Sequence, residues 1–333
     1  PHPMFAYSWS LDDSERGDGD GVLEKDEGVD LVVYVTNVGP GAADKVSLRL
    51  KSAAGEDLFL ERGRAEIGAI APGETRVGKL GFNVRGQQSV EGGKLPLELT
   101  IHDPATGEWL EDELAVVAEP ASAAKLVKRK AQPVVATQET PVWSAAREGS
   151  PTLGFLAKGA GVSVVAKLDQ RLKVELPEGG VAWVREADVR PGKAAKKLPT
   201  DYVPARRPAM IELEGEVGGR TVDTESIVLS GQVVGRSVRD LYILSNYEKV
   251  YYASGPAPTA STGARPKEDA VRLPFSKQLA LKEGLNKIVL VARVDERVIT
   301  YRTLFVSRLP AAAGPAVAEA AAPSPSPKSL ARP

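Results

Sequence analysis

The sequence contains no cysteine. That excludes disulfides, a thiol nucleophile and every thiolate-ligated metal centre. It does not locate the protein, because exported bacterial chains can also lack cysteine. Histidine is almost absent, with only His2 and His102 in 333 residues. A zinc centre takes three or four ligands, usually rich in His or Cys, so no conventional catalytic zinc is expected. No apolar run reaches the length of about 18 residues that a spanning helix needs, and no signal peptide is visible. The 43 Lys+Arg nearly cancel the 44 Asp+Glu. A net charge so close to zero gives no global attraction to nucleic acid or an anionic membrane, and no nucleic-acid partner is expected.

The familiar catalytic signatures are missing too. There is no G-x-S-x-G elbow and no G-x-x-x-x-G-K-[ST] phosphate loop. His2 sits in a terminal Pro-His-Pro, and His102 precedes Asp103-Pro104. The acids are scattered. A Ser–Lys pair is the one nucleophile arrangement that composition leaves open. The expectation is a segment with no enzyme activity of its own. Because the chain opens Pro-His-Pro-Met, it is expected to be part of a longer polypeptide.

What the sequence does contain is 32 glycines and 25 prolines, which separate short β-branched runs. Residues 29–36 (VDLVVYVT), 45–50 (KVSLRL), 162–167 (VSVVAK), 227–234 (IVLSGQVV) and 287–294 (KIVLVARV) carry the strand pattern. The best helix candidate is the Ala/Lys-rich stretch 122–130. Two Ala/Pro/Lys-rich stretches, 119–133 and 190–208, read as exposed linkers. From residue 311 the chain is Ala/Pro/Ser-rich and is expected to be disordered.

These breaks predict an all-β chain. It begins with a β-sandwich over 1–118, then a linker over 119–130 and a small barrel over 131–192. A second linker over 193–206, a second sandwich over 207–309 and a disordered tail over 310–333 follow. In the last sandwich, 253–269 is expected to be a long loop.

Three groups are candidate sites. Asp18-Gly-Asp20-Gly21 invites a calcium reading, since setting Gly21 at position 6 of a calcium loop puts Asp18, Asp20 and Glu27 at ligand positions. Arg16 then falls where the first carboxylate belongs, a place that Asp12 or Asp13 could fill through a looser loop, and the simpler reading is an acidic turn with no cofactor. Trp143, Phe155 and Trp183 form either an aromatic groove for peptide or peptidoglycan, or the barrel's core. Tyr242, Tyr247, Tyr251 and Tyr252 surround one predicted hairpin as a partner surface or as ordinary strand aromatics.

Each predicted module also resembles a known type. Residues 17–50 (GDGDGVLEKDEGVDLVVYVTNVGPGAADKVSLRL) resemble the start of bacterial adhesion-type immunoglobulin-like domains. Residues 180–189 (GVAWVREADV) resemble the closing strand and turn of bacterial SH3-like domains. Residues 281–288 (LKEGLNKI) resemble immunoglobulin-like domains of the glucodextranase-B type. In order, with the opening 3–39 and VRDLYILSN at 238–246, they resemble the C-terminal region of bacterial carboxyl-terminal (tail-specific) processing peptidases that carry a PDZ domain. In that family a Ser–Lys pair in a preceding domain does the chemistry, and nothing here matches its motif. The resemblance implies export to the periplasm or cell surface. It also implies a non-catalytic accessory role in docking, regulation or substrate recruitment, with the protease domain of the same polypeptide or another protein as partner. The alternative is a cell-envelope adhesion or glycan-binding protein.

Overall fold

Glycine- and proline-cut apolar runs become strands throughout the computed structural model, which describes residues 2–24, 26–53, 58–84, 94–119, 126–194, 198–256 and 271–310. Among these residues there is no α-helix, and no helix is long and apolar enough to cross a membrane.

The first module holds β1 (Phe5–Asp12), β2 (Gly28–Asn37), β3 (Ala43–Ser52), β4 (Leu58–Arg62), β5 (Arg64–Ile70), β6 (Thr75–Val84), β7 (Lys94–Asp103) and β8 (Glu108–Val117). They form two antiparallel sheets, β1-β2-β6-β4 and β5-β3-β7-β8, packed as an immunoglobulin-like sandwich. Leu31, Val33 and Val35 of β2 meet Leu48 and Leu50 of β3 and Leu97, Leu99 and Ile101 of β7 in its core. The other face of β2 is covered as well, because Val32 and Tyr34 belong to the core of the second module. Burial on both faces explains why β2 reads as a nearly unbroken apolar run rather than a strict alternation.

The second module holds β9 (Val127–Ala136), β10 (Thr140–Trp143), β11 (Thr152–Leu156), β12 (Gly161–Leu168), β13 (Arg171–Glu175), β14 (Val181–Arg185), β15 (Val189–Pro191) and β16 (Asp201–Tyr202). They form one antiparallel sheet in the order β15-β9-β12-β13-β14-β10-β11-β16. Val134, Val142, Leu153, Val162, Val174 and Val184 come from six of these strands yet share one core. A sheet with that property is curled around its own interior. A 3-10 turn, Glu186–Asp188, follows β14.

The third module holds β17 (Met210–Leu213), β18 (Arg220–Val222), β19 (Ser226–Gly235), β20 (Asp240–Ser245), β21 (Glu248–Ser254), β22 (Val271–Ala280), β23 (Gly284–Arg293) and β24 (Ile299–Arg308). Its two sheets are β17-β19-β22 and β18-β24-β23-β20-β21. Leu229 and Val233 pack against Ile243, Leu290 and Val306 between them. The β20–β21 turn uses Asn246 and Tyr247 at φ of 51° and 72°.

Two expectations fail. The helix candidate at 122–130 does not form in its described part: residues 127–130 open strand β9, and 122–125 lie outside the described residues. Part of the segment read as a second exposed linker, residues 198–206, is packed, while 195–197 lie outside the described residues. Tyr202 is buried, its hydroxyl bonds Glu178 at 3.0 Å, and its ring lies 4.8 Å from that of Tyr34. Pairing through β16 and an aromatic contact outweigh the local Pro/Lys composition. Most of the predicted loop at 253–269 and all of 311–333 lie outside the described residues.

Candidate functional site: the junction of the modules

The acidic turn of the first module folds onto the second. Asp13 is fully buried and accepts the backbone N–H groups of Gly19 at 2.8 Å and Gly21 at 2.9 Å. Glu27 braces the same turn, accepting from the N–H groups of Asp18 and Glu24. Gly21 is needed here. Its φ is +81°, and a Cβ would lie 3.0 Å from the Ser144 carbonyl oxygen and 3.2 Å from Trp183 Nε1.

Into this turn β13 delivers a lysine. Lys173 is 1% exposed. Its ammonium donates to Asp12 Oδ1 at 3.1 Å, Ser14 Oγ at 2.5 Å and the Gly19 carbonyl at 3.0 Å, and lies 3.9 Å from Asp13 Oδ1. Three donors meet three acceptors, so the ammonium is fully satisfied. Ser14 in turn donates to Asp12 Oδ1. The pair therefore has Ser–Lys contact, but the serine hydroxyl is turned to the Asp12 carboxylate. Burial alone raises the Asp12 carboxyl, but Lys173 and the Ser14 bond outweigh it and hold Asp12 below the ordinary carboxylate range. Burial wins at Asp13, which is raised despite Lys173 and the two glycine N–H bonds. At Asp20 burial, aided by the charges of Asp18, Asp13 and Glu24, pushes the carboxyl up to about 6.

Of the calcium candidates, Asp18 and Asp20 converge with Asp13, their carboxylate oxygens lying within 4.8 Å of one another. Glu27 does not join them; its oxygens accept the N–H groups of Asp18 and Glu24. The sequence pattern pointed to the right turn and to Asp12 or Asp13 as the carboxylate that Arg16 cannot supply, and Asp13 is the one that joins Asp18 and Asp20; Lys173 was not foreseen. Lys173 was out of reach, since it lies 161 positions from Asp12.

The aromatic candidates do not share one open face. Trp183 is fully buried beneath the acidic turn, with Lys173 Nζ 5.7 Å from its ring centre. Trp143 is half-buried between the guanidinium groups of Arg171 and Arg185, at 4.6 and 5.3 Å. Phe155 is half-buried opposite Pro141 and Asp201. On the third module Tyr242 and Tyr252 pair across β20 and β21 beneath Lys249, at 5.1 and 4.5 Å from its Nζ. Tyr251 turns toward the core, whereas Tyr247 is exposed at the turn.

Two more contacts tie the modules together. Tyr34 of the first donates to the Val181 carbonyl of the second at 2.9 Å. Arg206 reaches Asp112 of the first at 2.6 Å and Asp295 of the third at 2.8 Å, while its backbone pairs with that of Tyr7. Between the modules lies a cleft of about 480 Å³ walled by Trp9, Leu23, Val116, Ala145 and Leu153.

No family model and no curated protein matches the chain. Among solved structures, the fibronectin(III)-like modules of Clostridium thermocellum CbhA align with 92% of this chain and 95% of theirs, at 10% identity and a TM-score of 0.20. Dimeric latent PorU from Porphyromonas gingivalis aligns with 92% of this chain at 10% identity and a TM-score of 0.21, and the chain spans about a third (34%) of PorU's length.

Proposed function

We propose that this chain is the non-catalytic accessory region of a secreted bacterial serine peptidase, positioned in the periplasm or at the cell surface. Its work is docking, regulation or substrate recruitment, with a peptidase domain of the same polypeptide or another protein as partner, and its middle module is SH3-like. The observation that carries the reading is the junction. Lys173, Tyr34 and Arg206 use their polar atoms to hold one module on another. Groups spent in this way stiffen a scaffold and leave its sheet faces and edges for partners. The module order described above supplies the peptidase part of the proposal. The coding sequence upstream of Pro1 tests it: an in-frame PDZ and Ser–Lys peptidase domain is expected, and a reading frame without them removes the reading.

One observation favours a glycan-binding alternative. Tyr252, Tyr301 and Phe305 are exposed on strands of the same five-stranded sheet. Exposed aromatic rings can stack on sugars. Co-sedimentation with peptidoglycan separates the two readings, since the accessory role predicts that the chain stays in the supernatant.

A further inference from the structure

The first sandwich ends at β1 in one sheet and at β8 in the other. The outer side of β1 is paired at one point. Tyr7 N–H donates to the Arg206 carbonyl at 3.0 Å, and Arg206 N–H donates to the Tyr7 carbonyl at 3.2 Å. Antiparallel pairing continued from there would set Trp9 opposite residue 204, which is proline. Proline has no N–H to give, so the ladder stops. The Pro204 carbonyl turns instead to Arg236 Nη1 at 2.7 Å.

Backbone groups on one side of a strand recur every second residue. The outer side that carries the Tyr7 groups therefore also carries the N–H and C=O of Trp9 and Leu11. Among the described residues these groups have no partner beyond β2, with which their residues form non-hydrogen-bonded pairs. Both residues line the 480 Å³ cleft, within the size range of ligand pockets. Ser8 lines it too: the residue is 3% exposed, and its Oγ is buried with no hydrogen-bond partner. The walls are largely apolar, from Leu23 and Val116 on one module to Ala145 and Leu153 on the next.

We infer that this cleft takes an extended, uncharged, apolar peptide that adds as a strand to the free part of β1, beyond the point where Arg206 pairs. The occupant is a peptide because the unmet groups are amides and carbonyls about 7 Å apart, the two-residue repeat of a strand. It is apolar because the walls are, and it continues an edge that the chain itself already pairs at Tyr7. Main-chain bonds give such a complex its affinity, and the walls give it selectivity. The inference goes beyond the accessory reading and stands without a peptidase.

The probe is acetyl-Val-Ala-Val-Ser-Val-amide, added to the full chain. Binding is expected, and hydrogen exchange of the Trp9 and Leu11 amides should slow at least tenfold while Ser8 and Ser10, already paired to β2, barely change. A copy N-methylated at alternate residues keeps the side chains but loses the ladder, and should bind at least tenfold more weakly. Ala205→Trp places bulk at the exposed rim and should weaken the parent peptide similarly. Failure of the peptide to bind, or equal binding of the N-methylated copy, overturns the inference. The latter outcome would mark the cleft as an apolar pocket only. Slow exchange at Trp9 and Leu11 in the free protein would also overturn it, without any variant.

Discussion

Lys173 Nζ lies 3.1 Å from Asp12 Oδ1, although the two residues are 161 positions apart and belong to different modules. The ammonium is buried with Asp13, which is fully buried as well. Removing one member of a buried charge cluster leaves the others unpaired, and that costs about 3 kcal/mol or more. Lys173→Met keeps most of the stem and removes the charge. It should lower stability to urea by this order and separate the unfolding of the first two modules into distinct steps. Adding Asp12→Asn to that variant should recover part of the loss. A single substitution without effect on the denaturation midpoint would show that the contact does not hold the junction.

Asp20 sits in the same turn but gains less from it. Burial and the neighbouring carboxylates raise its pKa from the ordinary 3.8 to about 6. The folded chain thus holds this proton more tightly than the unfolded one. The sign follows from linkage: there is no penalty below about pH 4, and a penalty grows as pH rises through about 6. Asp20→Asn should therefore stabilise the protein at pH 7.5, by about 1 kcal/mol once solvent screening is allowed for, and have little effect at pH 3.5. The amide oxygen can still accept the Val22 N–H, which lies 2.7 Å from Oδ1. Thermal melts with and without calcium should agree. A wild-type melting temperature that rises with calcium, lost in Asp20→Asn, would restore the calcium reading.

Much of the fold is legible in the sequence. Runs such as 227–234 declare their strands by composition, and Asn246 suits its turn, whereas Tyr247 at φ of 72° is a residue type that seldom takes positive φ. The junction is not legible. A buried lysine in β13 reads in sequence like the exposed lysines around it, since only tertiary packing tells them apart. The same holds for Arg206, which stands among prolines and arginines that suggest a solvated linker yet ties the first module to the third through Asp112 and Asp295. Strand β1 is not legible either, because FAYSWSLD mixes serines with its aromatics. Those serines face the second module, where Ser10 Oγ lies 3.3 Å from the Tyr34 hydroxyl.

Arg206 should be the hinge point of the third module. Asp112 is nearly buried, and it accepts from both Arg206 and the Tyr7 hydroxyl. Arg206→Met leaves that carboxylate with only the Tyr7 hydroxyl and the Glu113 N–H, at a cost of about 2 kcal/mol. It also frees Asp295, so small-angle scattering should show a larger radius of gyration. Arg206→Lys should rescue only in part, because one ammonium cannot match a fork that spans two carboxylates. An unchanged scattering profile in Arg206→Met would mean that other contacts set the module's position.

Gly179 and Gly180 offer a controlled comparison at the interface of the first two modules. Both have positive φ, 97° and 80°. A Cβ on Gly179 would meet nothing within 4 Å, whereas one on Gly180 would come within 2.6 Å of the Tyr34 hydroxyl and 2.9 Å of Val32 Cγ1. Gly179→Ala therefore pays only for the backbone, about 1 kcal/mol. Gly180→Ala adds a clash with two side chains that are themselves fully buried, and should cost at least twice as much. The surplus belongs to the interface, so it should shrink when Tyr34→Phe removes the nearest atom. Equal losses for the two glycine variants, measured by urea denaturation, would mean that the modules part readily there and that β2 is not held against the barrel.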